Sequence, residues 1–331
     1  MQALDIKHLN ILREFVRKNR KNGVIGFSPS PEEGVIRIFV EHEKAIEKVS
    51  IPHIEGYGFE IVISGEFKAL NQMDGEGRKG DDEDRTGFFD PLVAGISIGH
   101  YRITAGTLGW FGIKNGKAVI ISNNHVLAWE NRGKKGDKIL QPGPYDINRH
   151  GWNIDDQKYV AGYLLGYVPI SFERYRCPFR NTLYFVGKAM GIVKAKANVV
   201  DLAWALASRK SVYKILELNE IHGWATPKKG LKVVKSGRTT GVTSGVIDQT
   251  QYYGYVTYSR GIAWFEEQIL IKSQGYAFSK GGDSGSIVLD EDGFFIGILF
   301  AGNEQYTVVN PAIYVLQYLN KNGIKMVHVE R

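Results

Sequence analysis

From Gly95 onward the chain is cut into short apolar runs, each closed by a glycine-rich turn, and that pattern restricts its fold more than any other feature. YRITAGTLGWFGI, KAVIIS, KVVKSG, GSIVL and FFIGILF are too short for buried helices and rich in β-branched and aromatic residues, as strands packed on a core are. Tight turns between short strands join neighbours in antiparallel order. The expected architecture is therefore mainly β, a double antiparallel β-barrel. No repeat of fixed period is present, which argues against a solenoid or propeller.

The ends of the chain read differently. Apolar residues at three- and four-residue steps predict a helix from Asp5 to Asn19, stopped by Gly23, and the same spacing returns from Pro311 to Asn320 as a C-terminal helix. Between the first helix and the barrels, residues 23–28, 34–40 and 59–64 read as strands. The stretch 74–87, DGEGRKGDDEDRTG, is charged, glycine-rich and without apolar residues, as a solvated linker or mobile loop is. A length of 331 residues exceeds the usual single domain. The expected division is a small N-terminal α/β domain with its charged linker over 1–88 and a two-barrel unit over 89–331, the barrels meeting near 210–230.

Composition narrows the function classes. The first twenty residues hold no uninterrupted apolar block of signal-peptide length, and no stretch reaches the roughly 18 apolar residues needed to cross a bilayer. A single cysteine, Cys177, leaves no intrachain disulfide and fits a reducing compartment, so a cytoplasmic protein is expected. The net charge of +7 comes from scattered lysines and arginines without a zinc-finger, RRM or heptad pattern, which argues against nucleic acid as a partner. There is no HExxH, no Cys/His cluster and no Walker loop, so no metal or other cofactor is expected.

Chemistry concentrates in GGDSGSIVL, residues 281–289. A serine that attacks a carbonyl needs backbone N–H groups held ready for the oxyanion, and glycines permit the tight turn that aims them. Ser284 is the candidate nucleophile, with the N–H groups of Gly282 and Ser284 as the oxyanion hole. Serine also needs a base kept in one tautomer by a third group. His125 follows the apolar run AVIIS and the pair Asn123 and Asn124, where a histidine at a strand end can project into a cleft; a hydrogen-bonded structural histidine is the alternative. Asp201 is the one acid in the apolar run NVVDLAWALA, and a carboxylate so placed needs a specific partner unless it faces solvent. Asp155 and Asp156 are weaker alternatives.

The order His, Asp, Ser with GDSGS last resembles the chymotrypsin-like serine peptidases, two β-barrels with the active site between them. A closer likeness, covering most of the chain, is to the intracellular trypsin-like family that includes the plant narrow-leaf protease. It is carried by GISIGHYRITAGTLG (95–109), ISNNHVLA (121–128), GDKILQPGPYD (136–146), VVDLAWA (199–205), SGRTTGVTSG (236–245), GDSGS (282–286) and GILFAGN (297–303). The resemblance implies a serine endopeptidase acting on polypeptides through an acyl-enzyme. The same fold without turnover, serving as a binding or assembly module, is the alternative.

Departures from the digestive trypsins limit the transfer. Six residues before the serine, where those enzymes carry an acid, stands Phe278, so Lys or Arg specificity is not expected. Phe300, Ala301 and Gly302 replace Ser-Trp-Gly along the substrate-binding strand, and Asp201 loses the serine that usually supports the acid. The insertion from about Tyr163 to Lys196 is long and aromatic, in keeping with a lid or a homo-oligomer contact. In digestive relatives a newly cut amino terminus pairs with the acid before the nucleophile, here Asp283. Bacterial relatives place a basic side chain there, which nominates Lys235 first and Arg238 second, with activity expected without cleavage near Ala105.

Overall fold

The computed structural model describes residues 4–70, 84–175, 177–189, 196–218 and 220–328; most of the charged stretch 74–87, up to residue 83, lies outside the described residues. Two curled, mainly antiparallel sheets dominate, followed by a C-terminal helix. The first sheet runs in the order Lys325–Met326, Trp110–Lys114, Lys117–Ser122, Ala203–Ala207, Val160–Tyr167, Lys138–Leu140, Ser97–His100 and Gly106–Thr107. In the second sheet six strands close on themselves. Lys232–Gly237 pairs with Gly241–Thr257, which pairs with Gly261–Ser273 and then in turn with Tyr306–Pro311, Phe295–Gly302 and Ile287–Asp290, the last returning to Lys232–Gly237. Closure removes the exposed edges that an open sheet would leave.

Two strands are far longer than the sequence pattern implies. Gly241–Thr257 has 17 residues and Gly261–Ser273 has 13, because their far halves leave the barrel and serve a second surface. There the hairpin pairs with Val24–Ser30, Gly26 opposite Gly254, so that the N-terminal strands Val24–Ser30, Val35–Val40 and Gly58–Ile63 continue the same sheet. A Cβ on Gly254 would come within 2.7 Å of the Ile25 carbonyl oxygen, and glycine is what allows the two backbones to approach. The helix Ile6–Asn19, capped by the Asp5 side chain on the His8 amide, lays Leu12, Phe15 and Val16 over this extension.

The extension is built on tyrosines. Tyr253 stacks on Phe27 at 4.9 Å, Tyr252 and Tyr255 are buried nearby, and Tyr258 closes the hairpin. Burial holds the phenols of Tyr252, Tyr253, Tyr255 and Tyr258 well above their ordinary ionisation range. In the unfolded chain they ionise near pH 10, so above that pH the unfolded state binds fewer protons and stability falls as pH rises, by about 1.4 kcal/mol per pH unit for each phenol kept neutral. The urea midpoint is expected to drop steeply above about pH 10. Tyr252→Phe should soften the drop, since the Tyr252 hydroxyl has no hydrogen-bond partner among the described residues. A midpoint that holds through this range would show that these phenols ionise within the fold.

The aromatic insertion forms strands and the helix Pro178–Ala189, which leaves Phe179, Leu183, Phe185 and Val186 exposed. The C-terminal helix Ala312–Lys321 tucks Val315 and Leu319 into the core beneath the first sheet, and Lys325–Met326 then pairs with Trp110–Lys114. That same core takes Ile287 and Ile298 from the second sheet, so the two sheets share one apolar contact. Among the described residues no helix is long and apolar enough to cross a membrane.

Candidate active site

The strand Lys117–Ser122 is buried at its end and runs through Asn123 into a helical turn, Asn124–Leu127, that carries His125. Its neighbour Ala203–Ala207 pairs in a register that sets Ala203 opposite Ser122. Asp201, two residues before that strand, is thereby brought against His125, three residues past the other. The His125 Nδ1 lies 2.6 Å from Asp201 Oδ2, and the His125 backbone N–H donates to Oδ1 at 3.2 Å. Both carboxylate oxygens hold one histidine, which assigns the proton to Nδ1 and leaves Nε2 as the basic nitrogen. Nε2 is buried and has no hydrogen-bond partner among the described residues.

The donor that Asp201 requires in place of a serine comes from the long hairpin: Tyr258 Oη donates to Oδ2 at 2.9 Å. Burial, and then the Asp201 charge, keep this phenol protonated far beyond the usual range, so it remains a donor. Two asparagines fix the Asp201 backbone. Asn123 Nδ2 donates to its carbonyl at 2.8 Å, and its amide donates to Asn310 Oδ1 at 2.9 Å. Nothing in the sequence around Tyr258 or Asn310 marks them for this role; a tyrosine beside a Ser-Arg-Gly turn was the only available signal.

Ser284 stands in the loop that enters the strand Ile287–Asp290 and is fully buried. The loop turns on Gly282 (φ +98°) and Gly285 (φ +100°), conformations that L side chains rarely adopt. A Cβ on Gly285 would lie 2.3 Å from the Thr107 carbonyl oxygen, so the loop sits hard against the first sheet. Thr107 grips it twice: its N–H donates to the Ser284 carbonyl at 2.8 Å and its Oγ1 to the Gly282 carbonyl at 2.9 Å. Ser284 Oγ donates to the Phe300 carbonyl at 3.1 Å, so the hydroxyl is turned to the strand edge in this state.

Asp283 is buried beside the nucleophile. Its Oδ1 accepts from the Thr239 and Thr240 amides at 2.8 and 3.1 Å, and its Oδ2 from Thr240 Oγ1 and the Lys280 amide at 2.7 and 2.9 Å. Lys235 Nζ, equally buried, lies 3.6 Å from Oδ2. Arg238 is turned elsewhere, in a buried two-pronged pair with Asp146, because the guanidinium fork matches a carboxylate that also accepts from Ser97 Oγ. Of the residues nominated for the pocket, Gly302 lines a cavity of about 530 Å³ together with Tyr258, Ser279, Lys280 and Gly281. Phe278, Phe300 and Ala301 lie in the apolar packing behind it.

The family model described as the Nal1 C-terminal domain matches residues 181–310, a span that includes Asp201 and Ser284 and begins after His125. Solved structures similar to the chain include Protease A of Thermobifida fusca, at 16% identity and a TM-score of 0.46 over 72% of this chain and 99% of that one. A chymotrypsin of Cellulomonas bogoriensis is similar at 17% identity and a TM-score of 0.43, over 73% of this chain and 100% of that one. A glutamic-acid-specific serine protease aligns at 17% identity and a TM-score of 0.44, over 71% and 100%. No curated protein sequence matches the chain.

Proposed function

We propose that this protein is a serine endopeptidase of the cytoplasm, with Ser284 as nucleophile, His125 as general base and Asp201 as the group that orients and charge-stabilises His125. The observation that supports the reading most is the His125–Asp201 pair, tied at Nδ1 with Nε2 unpartnered among the described residues, beside a glycine-built turn that carries Ser284 and is bound to the first sheet by Thr107. In the reaction the Ser284 hydroxyl leaves the Phe300 carbonyl and passes its proton to His125 Nε2 as Oγ bonds to a peptide carbonyl carbon. The N–H groups of Gly282 and Ser284 receive the oxyanion, His125 returns the proton to the leaving amine, and water hydrolyses the acyl-enzyme. In this reading residues 89–331 carry the chemistry.

Phe278 lies in the apolar packing behind the cavity and supplies no acid to pair with Lys or Arg, so an apolar side chain before the scissile bond is expected instead, an unpaired cation being costly. A fluorophosphonate probe is expected to label the protein at Ser284, with no labelling of Ser284→Ala. A peptide library should be cut after apolar residues. A second reading, a binding module without turnover, draws on the burial of Ser284 and its bond to Phe300. Labelling of the Ser284→Ala variant to the wild-type level would refute the nucleophile assignment, and an unlabelled wild type would favour the binding module.

A further inference from the structure

The proposed cleft is occupied by the chain itself. Lys68–Ala69 forms a short strand antiparallel to Phe295–Gly302, with Ala69 opposite Ala301 and Lys68 opposite Gly302. One residue further on, the Leu70 amide donates to the Phe300 carbonyl at 3.3 Å, and the Leu70 carbonyl accepts from the Gly282 N–H at 3.0 Å. The Leu70 side chain is buried among Phe278, Ile271, Leu299 and Val309. Strand-edge amide, carbonyl on an oxyanion donor and side chain in an apolar pocket are the three contacts a peptide needs to present its carbonyl carbon to Ser284. The approach is firmly anchored upstream. Phe67 is fully buried and edge-on to Tyr252 at 5.3 Å, and its carbonyl accepts from the Thr257 amide at 2.9 Å.

We propose that the peptide bond after Leu70 is a substrate of this same chain, an inference that rests on the peptidase reading of Ser284 and His125. Ser284 Oγ bonds to the Leu70 carbonyl carbon while its proton moves to His125 Nε2. The bond to the nitrogen of residue 71 breaks as that nitrogen takes the proton from His125. Water then attacks the ester, its oxygen going to the Leu70 carboxylate and a proton, by way of His125, back to Ser284. The Phe300 carbonyl accepts from both the Leu70 amide and the Ser284 hydroxyl, so nucleophile and target share one acceptor before reaction. The segment also names the substrate class: a leucine-sized apolar residue before the cut bond, preceded by a small one. After cleavage the pairing of Val24–Ser30 with Gly241–Thr257 keeps the two fragments together, so native size does not report the cut.

The test is a time course of the purified full chain, read by intact mass under denaturing conditions. The expected result is a fragment ending at Leu70 and one beginning at residue 71, formed at a rate independent of protein concentration, and neither from Ser284→Ala. Leu70→Asp should slow the cut by about a hundredfold or more, because an unpaired carboxylate is disfavoured in that pocket. A synthetic peptide of residues 64–76 and the fluorophosphonate are assayed in parallel. A wild type that labels and hydrolyses the peptide yet stays intact overturns self-cleavage and leaves the peptidase reading standing. A wild type that does neither overturns both. A rate proportional to concentration, or a cut at another bond, overturns cleavage in cis at Leu70.

Discussion

His125→Ala is expected to slow acylation of Ser284 by about five to six orders of magnitude, the loss seen when the base of a Ser-His-Asp unit is removed. Without the imidazole neither neighbouring group takes over the serine proton: Tyr258 is held protonated by burial and by the charge of Asp201, and the Asp201 carboxylate keeps the Tyr258 hydroxyl and the backbone N–H of residue 125 as donors. The substitution also takes one partner from the Asp201 carboxylate, a cost of about 1–3 kcal/mol that the Tyr258 hydroxyl partly offsets. The fold should survive, so circular dichroism and fluorophosphonate labelling rates measured on the same sample separate the two effects. A labelling rate within tenfold of wild type would remove His125 from the mechanism.

Lys235→Met should act through structure and reach the chemistry second-hand. Lys235 and Asp283 are both fully buried, and deleting one member of such a pair leaves an uncompensated charge at a cost of about 3–5 kcal/mol. Four hydrogen bonds to Asp283 from Thr239, Thr240 and Lys280 remain, which places the expected loss at the lower end. Because Asp283 lies between the two residues whose N–H groups form the proposed oxyanion hole, any shift of its carboxylate tilts those donors. A misplaced donor costs about a hundredfold to a thousandfold in kcat. Arg238→Met provides the contrast. It leaves the Asp146 carboxylate with Ser97 Oγ as its side-chain donor among the described residues and should lower thermal stability by a similar amount, without the same fall in rate per folded molecule. Equal rates for wild type and Lys235→Met, measured below their unfolding temperatures, would sever Asp283 from the turn.

What could be read from the sequence was whatever announces itself locally. His125, Asp201 and Ser284 are polar residues interrupting apolar or glycine-rich runs, and a buried polar group in such a setting must have a partner. The helix Ile6–Asn19 and the short strands follow from periodicity alone. Tyr258, Asn310 and Thr107 escaped because each sits in unexceptional local sequence and gains its part only when distant strands meet. The long hairpin escaped for a related reason. Its stretch QTQYYGYVTYS mixes polar and aromatic residues without alternation, because Tyr252, Val256 and Tyr258 enter one apolar cluster while Tyr253 and Tyr255 enter another. Phe67 to Leu70 looks like any connecting loop until the cleft it fills is known.

Thr107 belongs to the first sheet, yet it holds the two carbonyls that flank Asp283 in the second. The proposed nucleophile and its proposed base are thus carried by separate sheets, and Thr107 ties the turn bearing Ser284 to the sheet that carries His125. On the proposed function, a chain whose sheets have parted under stress would carry every reactive side chain and still be harmless to its neighbours. If Ser284 and His125 act as proposed, hydrolytic competence would report completed assembly, since it would be lost when the two sheets separate.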